Sequence, residues 1–381
     1  MLEDAVLPGE RGIQNALLAA CGAVGLSVTV AGRESEWARM LMGLPSAKQV
    51  CIVLVDGMGI EQLRERSGHI PQLRALGLDS AITTIAPSTT AAALTAFATG
   101  QLPGATAMLG YSLLASTVGK QRRLFDLISF KNAPQPAEKW QCQPTIFELM
   151  GEREAQRTLL VEDLRYKNSG LTNAAWRGAP ARFAKRLSAR VDVALDELAT
   201  GRSLVYLYWG NLDHLGHKYG LDSERWVAEL EHVDSEIGRL VSQAPRGTLV
   251  VVTADHGMVQ DSRKFDIAFN SELDRGVTGV AGEERAFQIY TPDPEAVAAR
   301  WCAELGDLAW VCTAHELERT GVFGPLSDQA RDAMGDVIAF ARSDVGFVDS
   351  RVLADAALAM RGVHGSLTRA EMNVPWIVAL T

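Results

Sequence analysis

The sequence contains few cysteines, and they do not cluster. Five cysteines are scattered along 381 residues without a CxxC pair, at Cys21, Cys51, Cys142, Cys302 and Cys312. An odd number of cysteines without clustering argues against a disulfide framework and is typical of proteins from a reducing compartment. We therefore expect no structural disulfides and a cytoplasmic location.

The chain also lacks long apolar runs. No window of about 18–20 uninterrupted apolar residues is present, so we expect no membrane span. Residues 16–21, ALLAAC, resemble a lipoprotein cleavage site, but acidic residues precede them at Glu3, Asp4 and Glu10. Because a signal peptide begins with basic residues and has an unbroken apolar core, we interpret this stretch as part of the folded protein.

A run of basic residues is absent as well. The chain has 37 Lys and Arg against 46 Asp and Glu, a formal net charge of −9. A negative field repels phosphate backbones, so we expect neither a nucleic-acid partner nor a membrane partner. We interpret the small basic cluster Lys120, Arg122 and Arg123 as a solvated turn, with contact to a substrate phosphate as the alternative.

What is present is typical of a globular protein. Apolar residues make up 47% of the chain and charged residues 22%, which suits a large buried core. The length fits one large domain with an insertion, or two domains. The chain has no internal repeat, and its composition does not indicate an oligomeric state.

Short apolar runs alternate with amphipathic helical patterns. The clearest helix is Ser223–Gln243, in which apolar residues recur at spacings of three and four. Continuous apolar strands alternating with such helices predict an α/β fold with a mostly parallel central sheet and helices on both faces. The predicted strands are Val50–Val55, Ser80–Ile85, Ser203–Tyr208, Thr248–Thr253 and Val374–Leu380.

Residues 266–332 have a different pattern. Ala286–Tyr290 and Leu308–Cys312 are predicted strands, and Asp293-Pro294 is typical of a helix start. We interpret this segment as a small α+β inserted cap, after which Asp336–Ala341 resumes the central sheet. Residues 1–45 are then an N-terminal helical and loop segment packed on the core, and residues 46–265 and 333–381 form a metal-dependent catalytic core. Residues 116–199 are expected to be helical and loop-rich.

Polar side chains follow four of the predicted strands. They are Asp56 after the first, Ser88, Thr89 and Thr90 after the second, Asp213 and His217 after the third, and Asp255 and His256 after the fourth. Ligands of open α/β sheets bind beyond the carboxyl ends of the strands. The sequence therefore predicts that these residues converge on one edge of the sheet.

Carboxylates and imidazoles dominate this predicted edge. Asp213 and His217 are four residues apart and share one face of a helical turn, while Asp255 and His256 can meet at one centre on a sharp turn. With Asp56 and His364, the set comprises three carboxylates and three imidazoles. It suits two sites of three protein ligands each, which leaves the open coordination positions of catalytic zinc. Nitrogen and oxygen ligands without cysteine fit Zn²⁺, with Mn²⁺ as the alternative.

The loop before residues 91–99 offers a nucleophile. Ala91–Thr99 is predicted to be helical and to end at Gly100, so Ser88, Thr89 and Thr90 lie at its N-terminus. These hydroxyls can simply cap the helix. They can also lie beside a phosphate bound at the helix N-terminus, where a nearby dication would activate one of them for attack on phosphorus.

Taken together, the motifs VDGMG, PSTT…TG, NLDHLGH, TADHGM and GVHGS resemble the alkaline phosphatase superfamily, in particular its nucleotide pyrophosphatase/phosphodiesterase branch. The resemblance spans about residues 46–381 and implies a two-metal hydrolase. It implies that Asp213, His217 and His364 hold one ion, and that Asp56, Asp255 and His256 hold the other. By the same resemblance Thr90 is the nucleophile and contacts the metal centre.

The sequence departs from two other branches of this superfamily. It lacks the Cys/Ser-x-Pro-x-Arg signature of sulfatases, and no arginine stands near Thr90 to hold a dianionic phosphate. Both absences favour a phosphodiesterase or nucleotide pyrophosphatase that acts on a small nucleotide-like phosphodiester through a phospho-threonine intermediate. The alternatives are a phosphomonoesterase, phosphonate hydrolase or mutase of the same superfamily, or a non-catalytic metal-binding relative.

Overall fold

The computed structural model describes residues 2–115, 122–260 and 263–381, so Lys120 of the basic cluster lies outside the described residues. The strands, in chain order, are β1 (Thr29–Val30), β2 (Arg33–Glu34), β3 (Gln49–Val55), β4 (Ala81–Thr83), β5 (Ser112–Ala115), β6 (Arg123–Asp126), β7 (Thr158–Glu162), β8 (Ala181–Phe183), β9 (Leu204–Trp209), β10 (Thr248–Thr253), β11 (Val259–Gln260), β12 (Arg263–Asp266), β13 (Gly279–Glu283), β14 (Ala286–Tyr290), β15 (Ala309–Thr313), β16 (Val337–Ala341), β17 (Val345–Val348), β18 (Gly362–Val363), β19 (Asn373–Pro375) and β20 (Ile377–Leu380).

The helices surround these strands. They are α1 (Ala16–Ala23), α2 (Ser35–Leu41), α3 (Ile60–Glu65), α4 (Pro71–Leu76), α5 (Thr90–Thr99), α6 (Pro103–Thr106), α7 (Ala137–Trp140), α8 (Ile146–Ala155), α9 (Gly170–Ala175), α10 (Leu187–Ala199), α11 (Asn211–Tyr219), α12 (Glu224–Gln243), α13 (Ser271–Asp274), α14 (Pro294–Leu305), α15 (Ala314–Thr320), α16 (Asp328–Ala333), α17 (Asp355–Leu358) and α18 (Arg369–Met372).

The central sheet has six strands in the order β20-β10-β3-β9-β7-β8. All neighbours pair in parallel except the edge strand β20, which runs antiparallel to β10. Strands β3, β9 and β10 are buried along their whole length, which explains their continuous apolar sequences. The predicted α/β fold with a mostly parallel sheet and helices on both faces is confirmed.

Helix α12 illustrates how sequence pattern becomes packing. The Ser223 hydroxyl accepts a hydrogen bond from the Trp226 backbone N–H and so caps the first turn. The apolar residues at spacings of three and four are buried, at Trp226, Leu230, Val233, Ile237 and Leu240. The predicted bounds are therefore correct to within one residue.

A second sheet of four antiparallel strands has the order β13-β14-β16-β15. Its strands β14 and β15 and its helix α14 match the elements predicted for the inserted cap. The prediction that Asp336–Ala341 resumes the central sheet is wrong, because β16 pairs with β14 and β15. A run that is buried on both faces does not indicate which sheet it joins. The division into core and cap at the proposed boundaries stays a prediction.

Two further strands are placed differently from expectation. Strand β4, within the predicted strand Ser80–Ile85, pairs with β19 in a separate two-stranded sheet instead of joining the central one. Residues 116–199 contribute β7 and β8 to the central sheet, although the sequence pattern indicated only helices and loops there. Among the described residues, no helix is long and apolar enough to cross a membrane.

Candidate active site

The turn after β3 places Asp56 and Gly57 against the first turn of α11, which follows β9. Gly57, which follows Asp56, has φ of +73°, and a Cβ atom added there would lie 3.1 Å from the Cβ atom of Asp213. Its backbone N–H donates a hydrogen bond to Asp255 Oδ1 at 3.2 Å. Glycine is thus needed at position 57 both for the left-handed conformation and for the close approach of the backbone to Asp213.

Three histidines share one orientation in which Nε2 faces the carboxylates. The Nδ1 atom of His217 lies 2.7 Å from the Gly362 carbonyl oxygen, that of His364 2.8 Å from the Ser88 oxygen, and that of His256 3.0 Å from the Gly257 oxygen. A carbonyl oxygen only accepts, so each Nδ1 carries the proton and donates. In the neutral ring, each Nε2 then keeps a lone pair that can bind a cation, which is the arrangement of metal-binding histidines.

One trio of predicted ligands forms a compact group. Asp56, Asp255 and His256 each offer a ligand atom within 4.8 Å of the others, and all three are buried. His256 Nε2 lies 3.3 Å from Asp56 Oδ1 and 3.6 Å from Asp255 Oδ2. Asp255 Oδ2 is buried and has no hydrogen-bond partner among the described residues. Such an unpaired carboxylate oxygen is costly unless a cation satisfies it.

The second trio is also brought together, with one difference. Asp213, His256 and His364 form the group whose ligand atoms lie within 4.8 Å of one another, so His256 stands where we predicted His217. His217 is nevertheless adjacent, with Nε2 3.3 Å from Asp213 Oδ2. Asp213 Oδ1 is a second buried carboxylate oxygen without a hydrogen-bond partner in the described part of the chain. The donor set therefore fits two cations, and the metal-binding roles of these residues stay predictions.

The charges in this cluster strongly affect one another. Burial, together with the charges of Asp255 and Asp213, raises the pKa of Asp56 well above its ordinary value. Against the effect of burial, the Asp213 carboxylate raises the pKa of His217 to about 9. Burial and the neighbouring His256 lower the pKa of His364. Positive charge between these groups would relieve the repulsion among the buried carboxylates.

Thr90 lies at the N-terminus of α5 and faces the first trio. Its hydroxyl oxygen is 3.1 Å from His256 Nε2 and 3.5 Å from Asp56 Oδ1. Thr89 is the N-cap residue, yet its side chain makes no capping hydrogen bond. The Ser88 hydroxyl donates to the Ser366 carbonyl oxygen at 2.7 Å and accepts from the Gly365 N–H, so Ser88 joins two loops. Of the three hydroxyl groups, only that of Thr90 contacts a predicted metal ligand through a hydrogen bond in the described part of the chain, whereas Ser88 contacts His364 through its backbone carbonyl oxygen.

Two cavities meet at this cluster. The first, here called the aromatic cavity, contains Asp56, Thr90 and Asp213, and its wall includes Tyr166, Trp176, Tyr208, Glu162 and His214. Tyr208 is buried and donates a hydrogen bond to Asp56 Oδ2, so it both packs in the core and lines the cavity. Sequence reasoning missed Glu162, Tyr166 and Trp176. The apolar run that forms β7 was the available signal, since Glu162 is its last residue.

The second cavity, here called the apolar cavity, lies between the four-stranded sheet and the cluster. It shares Thr89, Tyr111, His217 and His364 with the aromatic cavity. Tyr111 therefore stands where the two cavities join, and nothing in the sequence pattern singled it out. His69 is exposed and pairs with Glu231, away from both cavities.

Comparison with known proteins agrees with this geometry. The family model of type I phosphodiesterase / nucleotide pyrophosphatase matches residues 50–364, which include every predicted site residue. The chain belongs to this family. The predicted resemblance to the nucleotide pyrophosphatase/phosphodiesterase branch of the alkaline phosphatase superfamily is thereby confirmed.

Curated relatives of this phosphodiesterase-family chain match it over limited segments. Bis(5'-adenosyl)-triphosphatase enpp4 of Xenopus laevis is 25% identical over 148 residues, which are 36% of this chain and 32% of the relative. The Bos taurus protein of the same name is 39% identical over 74 residues, 18% of this chain and 16% of the relative. The matched segments thus span about a third or less of these relatives.

Solved structures match over most of the chain. Murine ectonucleotide pyrophosphatase/phosphodiesterase 5, in complex with AMP, has a TM-score of 0.64 at 16% identity and 87% coverage of both chains. Phosphonoacetate hydrolase from Sinorhizobium meliloti has a TM-score of 0.66 at 19% identity and 92% coverage of both chains. At these identities the likeness shows the fold alone.

Proposed function

We propose that this phosphodiesterase-family protein hydrolyses a small, nucleotide-like phosphodiester through a covalent phospho-threonine intermediate on Thr90. The observation that carries the proposal is the position of the Thr90 hydroxyl, 3.1 Å from His256 Nε2 at the open side of a buried Asp/His cluster. A hydroxyl at the N-terminus of a helix and beside metal ligands is suited to attack phosphorus.

The cluster is proposed to hold two divalent cations, Zn²⁺ in the first instance and Mn²⁺ as the alternative. Asp56, Asp255 and His256 would hold one ion, and Asp213, His217 and His364 the other, with His256 also near the second. When bound, such ions supply positive charge that lowers the pKa of a nearby hydroxyl and neutralises charge on the phosphoryl group. The unpaired oxygens of Asp213 and Asp255 support this assignment.

The chemical steps are proposed to use Thr90 twice. Its oxygen forms a bond to phosphorus while the bond from phosphorus to the leaving oxygen breaks. The Thr90 hydroxyl loses its proton in this step, and the leaving alcohol gains one. Water then attacks the phospho-threonine ester, which releases a phosphomonoester and restores the hydroxyl. The backbone of α5 and the orientation of the three imidazoles contribute mainly by placement, as is general in phosphoryl transfer.

The aromatic cavity supports a nucleotide-like substrate. Tyr166 and Trp176 offer ring surfaces on which a base can stack. Among the described residues no lysine or arginine lines this cavity. A dianionic monoester would therefore lack a cationic side-chain partner beyond the proposed metals, which favours a diester with a single negative charge.

The test compares Thr90→Ala with Thr90→Ser on bis(4-nitrophenyl) phosphate. Thr90→Ala is expected to lower kcat by at least about 10³-fold, while its metal content, measured by mass spectrometry, stays that of the parent. Thr90→Ser retains a hydroxyl and is expected to recover part of the activity. Acid quenching during turnover should trap a phosphate ester on the peptide that contains Thr90. Unchanged activity of Thr90→Ala would exclude Thr90 as nucleophile and shift attention to Thr89 or Ser88.

A substrate panel separates the remaining alternatives. Preference for 4-nitrophenyl phosphate over its diester would favour a phosphomonoesterase, and turnover of phosphonates alone would favour a phosphonate hydrolase. Absence of any hydrolysis with Zn²⁺ or Mn²⁺ would favour a non-catalytic relative. We further propose a cytoplasmic location, supported by five free cysteines of which Cys142 and Cys302 are exposed.

A further inference from the structure

The wall of the apolar cavity is mostly apolar, and its acidic residues are Glu283, Glu284 and Asp349. Aliphatic and aromatic side chains from β13, β14, β17 and the segment after β17 form most of its surface, namely Val280, Ala281, Phe287, Phe347, Val352, Leu353 and Met360. Among the described residues no lysine or arginine lines it. Such a surface accommodates apolar groups and disfavours the desolvation of an anion.

One carboxyl group stands out in this lining. Glu283, at the end of β13, accepts a hydrogen bond from the Tyr111 backbone N–H through Oε2 at 2.6 Å. Its other oxygen, Oε1, is buried and has no hydrogen-bond partner among the described residues. A buried polar atom without a partner in a cavity lining is a candidate for contact with a ligand.

Glu283 also lies directly against the loop that carries His364. A Cβ atom added to Gly365 would lie 2.4 Å from Glu283 Cγ, so the carboxyl group and this loop are in close contact. Burial, with a further contribution from the charge of Glu371, raises the pKa of Glu283 to about 8. These surroundings disfavour negative charge on Glu283, and they would disfavour negative charge on a ligand for the same reason.

The position of the apolar cavity relative to Thr90 matters for the reaction. The Thr90 hydroxyl contacts His256 and Asp56, and neither of these residues lines the apolar cavity. His217 and His364, near Asp213, do line it. In an in-line displacement the leaving group departs on the side opposite to the nucleophile. This arrangement favours departure of the leaving group toward the apolar cavity, with the retained group in the aromatic cavity.

We propose that the apolar cavity binds the leaving group, and that this group is an alcohol with an apolar body, without negative charge, whose polar substituent contacts Glu283. This inference rests on the proposed function and narrows its substrate class. It excludes leaving groups such as phosphate or a nucleotide, which would bring anionic charge against a largely apolar wall where burial already disfavours the charged form of Glu283. The substrate is then a phosphodiester with an apolar alcohol on one side, and not a pyrophosphate.

The first experiment measures charge preference with the full-length, metal-loaded protein. Two methyl phosphodiesters of 4-nitrophenol are compared, one with a methyl group and one with a carboxylate meta to the phenol oxygen. We expect kcat/KM to be at least about tenfold higher for the methyl-substituted leaving group, after correction for its phenol pKa. Equal rates, or a preference for the carboxylate, would overturn the inference while leaving the proposed hydrolysis intact.

The second experiment tests whether the leaving group binds in the apolar cavity. Ala357, in α17, lines the apolar cavity at its partly exposed rim, whereas its neighbour Ala356 is exposed and does not line it. Ala357→Trp is expected to lower kcat/KM at least about tenfold for a bulky naphthyl leaving group and much less for a small one. Ala356→Trp, the matched control, should leave both rates near those of the parent. An identical response of the two variants would contradict the placement of the leaving group.

The third experiment tests Glu283 itself. Glu283→Gln keeps the size and the acceptor for Tyr111, and at about pH 9, above the pKa of about 8 of the parent carboxyl, its amide can donate to a carboxylate where the ionised parent cannot. The preference for the methyl over the carboxylate leaving group, given as the ratio of the two kcat/KM values, should shrink at least about threefold. An unaltered preference in a folded variant would exclude Glu283 as a determinant. Full activity of Thr90→Ala on the same esters would contradict the proposed function itself. Failure of the proposed function is therefore distinguishable from failure of the inference about the leaving group.

Discussion

The imidazole rings of His256 and His364 stack face to face, with centroids 3.6 Å apart and an interplanar angle of 15°. His256 follows β10 and His364 follows β18, so the stack joins two loops that are distant in sequence. Two positive charges at this separation would repel strongly. Burial and His256 keep the pKa of His364 low, so its ring is neutral and presents Nε2 in the form that binds a cation.

Removal of metal should therefore destabilise the fold. Chelation with EDTA leaves the buried oxygens of Asp213 and Asp255 unpaired, and the repulsion among the carboxylates returns. At a metal concentration of about 100 times Kd, linkage predicts that removal of the metal lowers the free energy of unfolding by about 2.7 kcal/mol per site. Calorimetry before and after chelation measures the change in Tm, and addition of Zn²⁺ or Mn²⁺ should restore it. An unchanged Tm in a sample shown to be metal-free would contradict the two-metal assignment.

His217 and His214 provide a matched pair on helix α11. His217 Nε2 lies 3.3 Å from Asp213 Oδ2, whereas His214 is exposed on the cavity wall and is not a predicted metal ligand. His217→Ala is expected to lower the metal content from about two ions per chain to about one at limiting metal, because one site loses a ligand. His214→Ala should keep the parent content. Elemental analysis of both variants checks this, and equal loss in both would remove His217 from the ligand set.

A buried ion pair holds the four-stranded sheet to the His364 loop. The Arg285 guanidinium donates to both carboxylate oxygens of Glu371 at 2.9 and 2.8 Å, and both side chains are fully buried. Glu371 also accepts from the Ser366 N–H at 3.0 Å, two residues after His364. The pair thus connects the apolar cavity's framework with a predicted metal ligand.

Breaking this pair should be costly. Arg285→Met leaves the Glu371 charge buried and unpaired, and we expect a loss of about 3–5 kcal/mol in the free energy of unfolding. Arg285→Met with Glu371→Leu should lose less than the sum of the single variants, by at least about 1 kcal/mol. Urea denaturation of all three variants measures this, and strict additivity would show that the two side chains are not coupled.

Glu162 makes stability depend on pH. Burial, opposed in part by the charge of Arg190, raises its pKa from 4.5 to about 7 in the folded protein. The folded state therefore binds more protons than the unfolded state between these values, and stability falls as pH rises through this interval. Glu162→Gln carries no ionisable group at this position, so it should not lose stability in this pH interval on account of residue 162.

The difference in unfolding free energy between Glu162→Gln and the parent should accordingly grow from near zero below pH 4.5 to about 3 kcal/mol above pH 7. Denaturant unfolding at a series of pH values measures it. A difference that does not vary with pH would mean that the Glu162 carboxyl keeps its ordinary pKa.

Much of the candidate site was predictable because its residues follow apolar strands. Asp56 comes directly after β3 and Asp255 two residues after β10, and these strands pair in parallel and so bring their carboxyl ends to the same edge. The i,i+4 spacing of Asp213 and His217 on α11 likewise places them side by side. Periodicity and strand exits are local signals, and a local reading of the chain is sufficient to find them.

Other features were decided only by the tertiary structure. Whether Val337–Ala341 joins the central sheet or the smaller one depends on which strands lie beside it, since its buried apolar sequence suits both. Strands β7 and β8 were missed because short strands between helices leave little periodic signal. Glu162 reaches the aromatic cavity through the placement of β7, and Tyr111 lies where the cavities join, with its backbone N–H bonded to Glu283 of β13.

The sequence by itself determined the chemistry that this protein has available: an α/β framework, three carboxylates, three imidazoles and a threonine after its strands. The tertiary structure alone decided the distances among them, the contact of Thr90 with His256, and the apolar cavity with its unpaired carboxyl oxygen. Side-chain type and local periodicity are written in neighbouring residues. Contacts across 198 positions, such as that between Gly57 and Asp255, arise only when packing brings distant loops together.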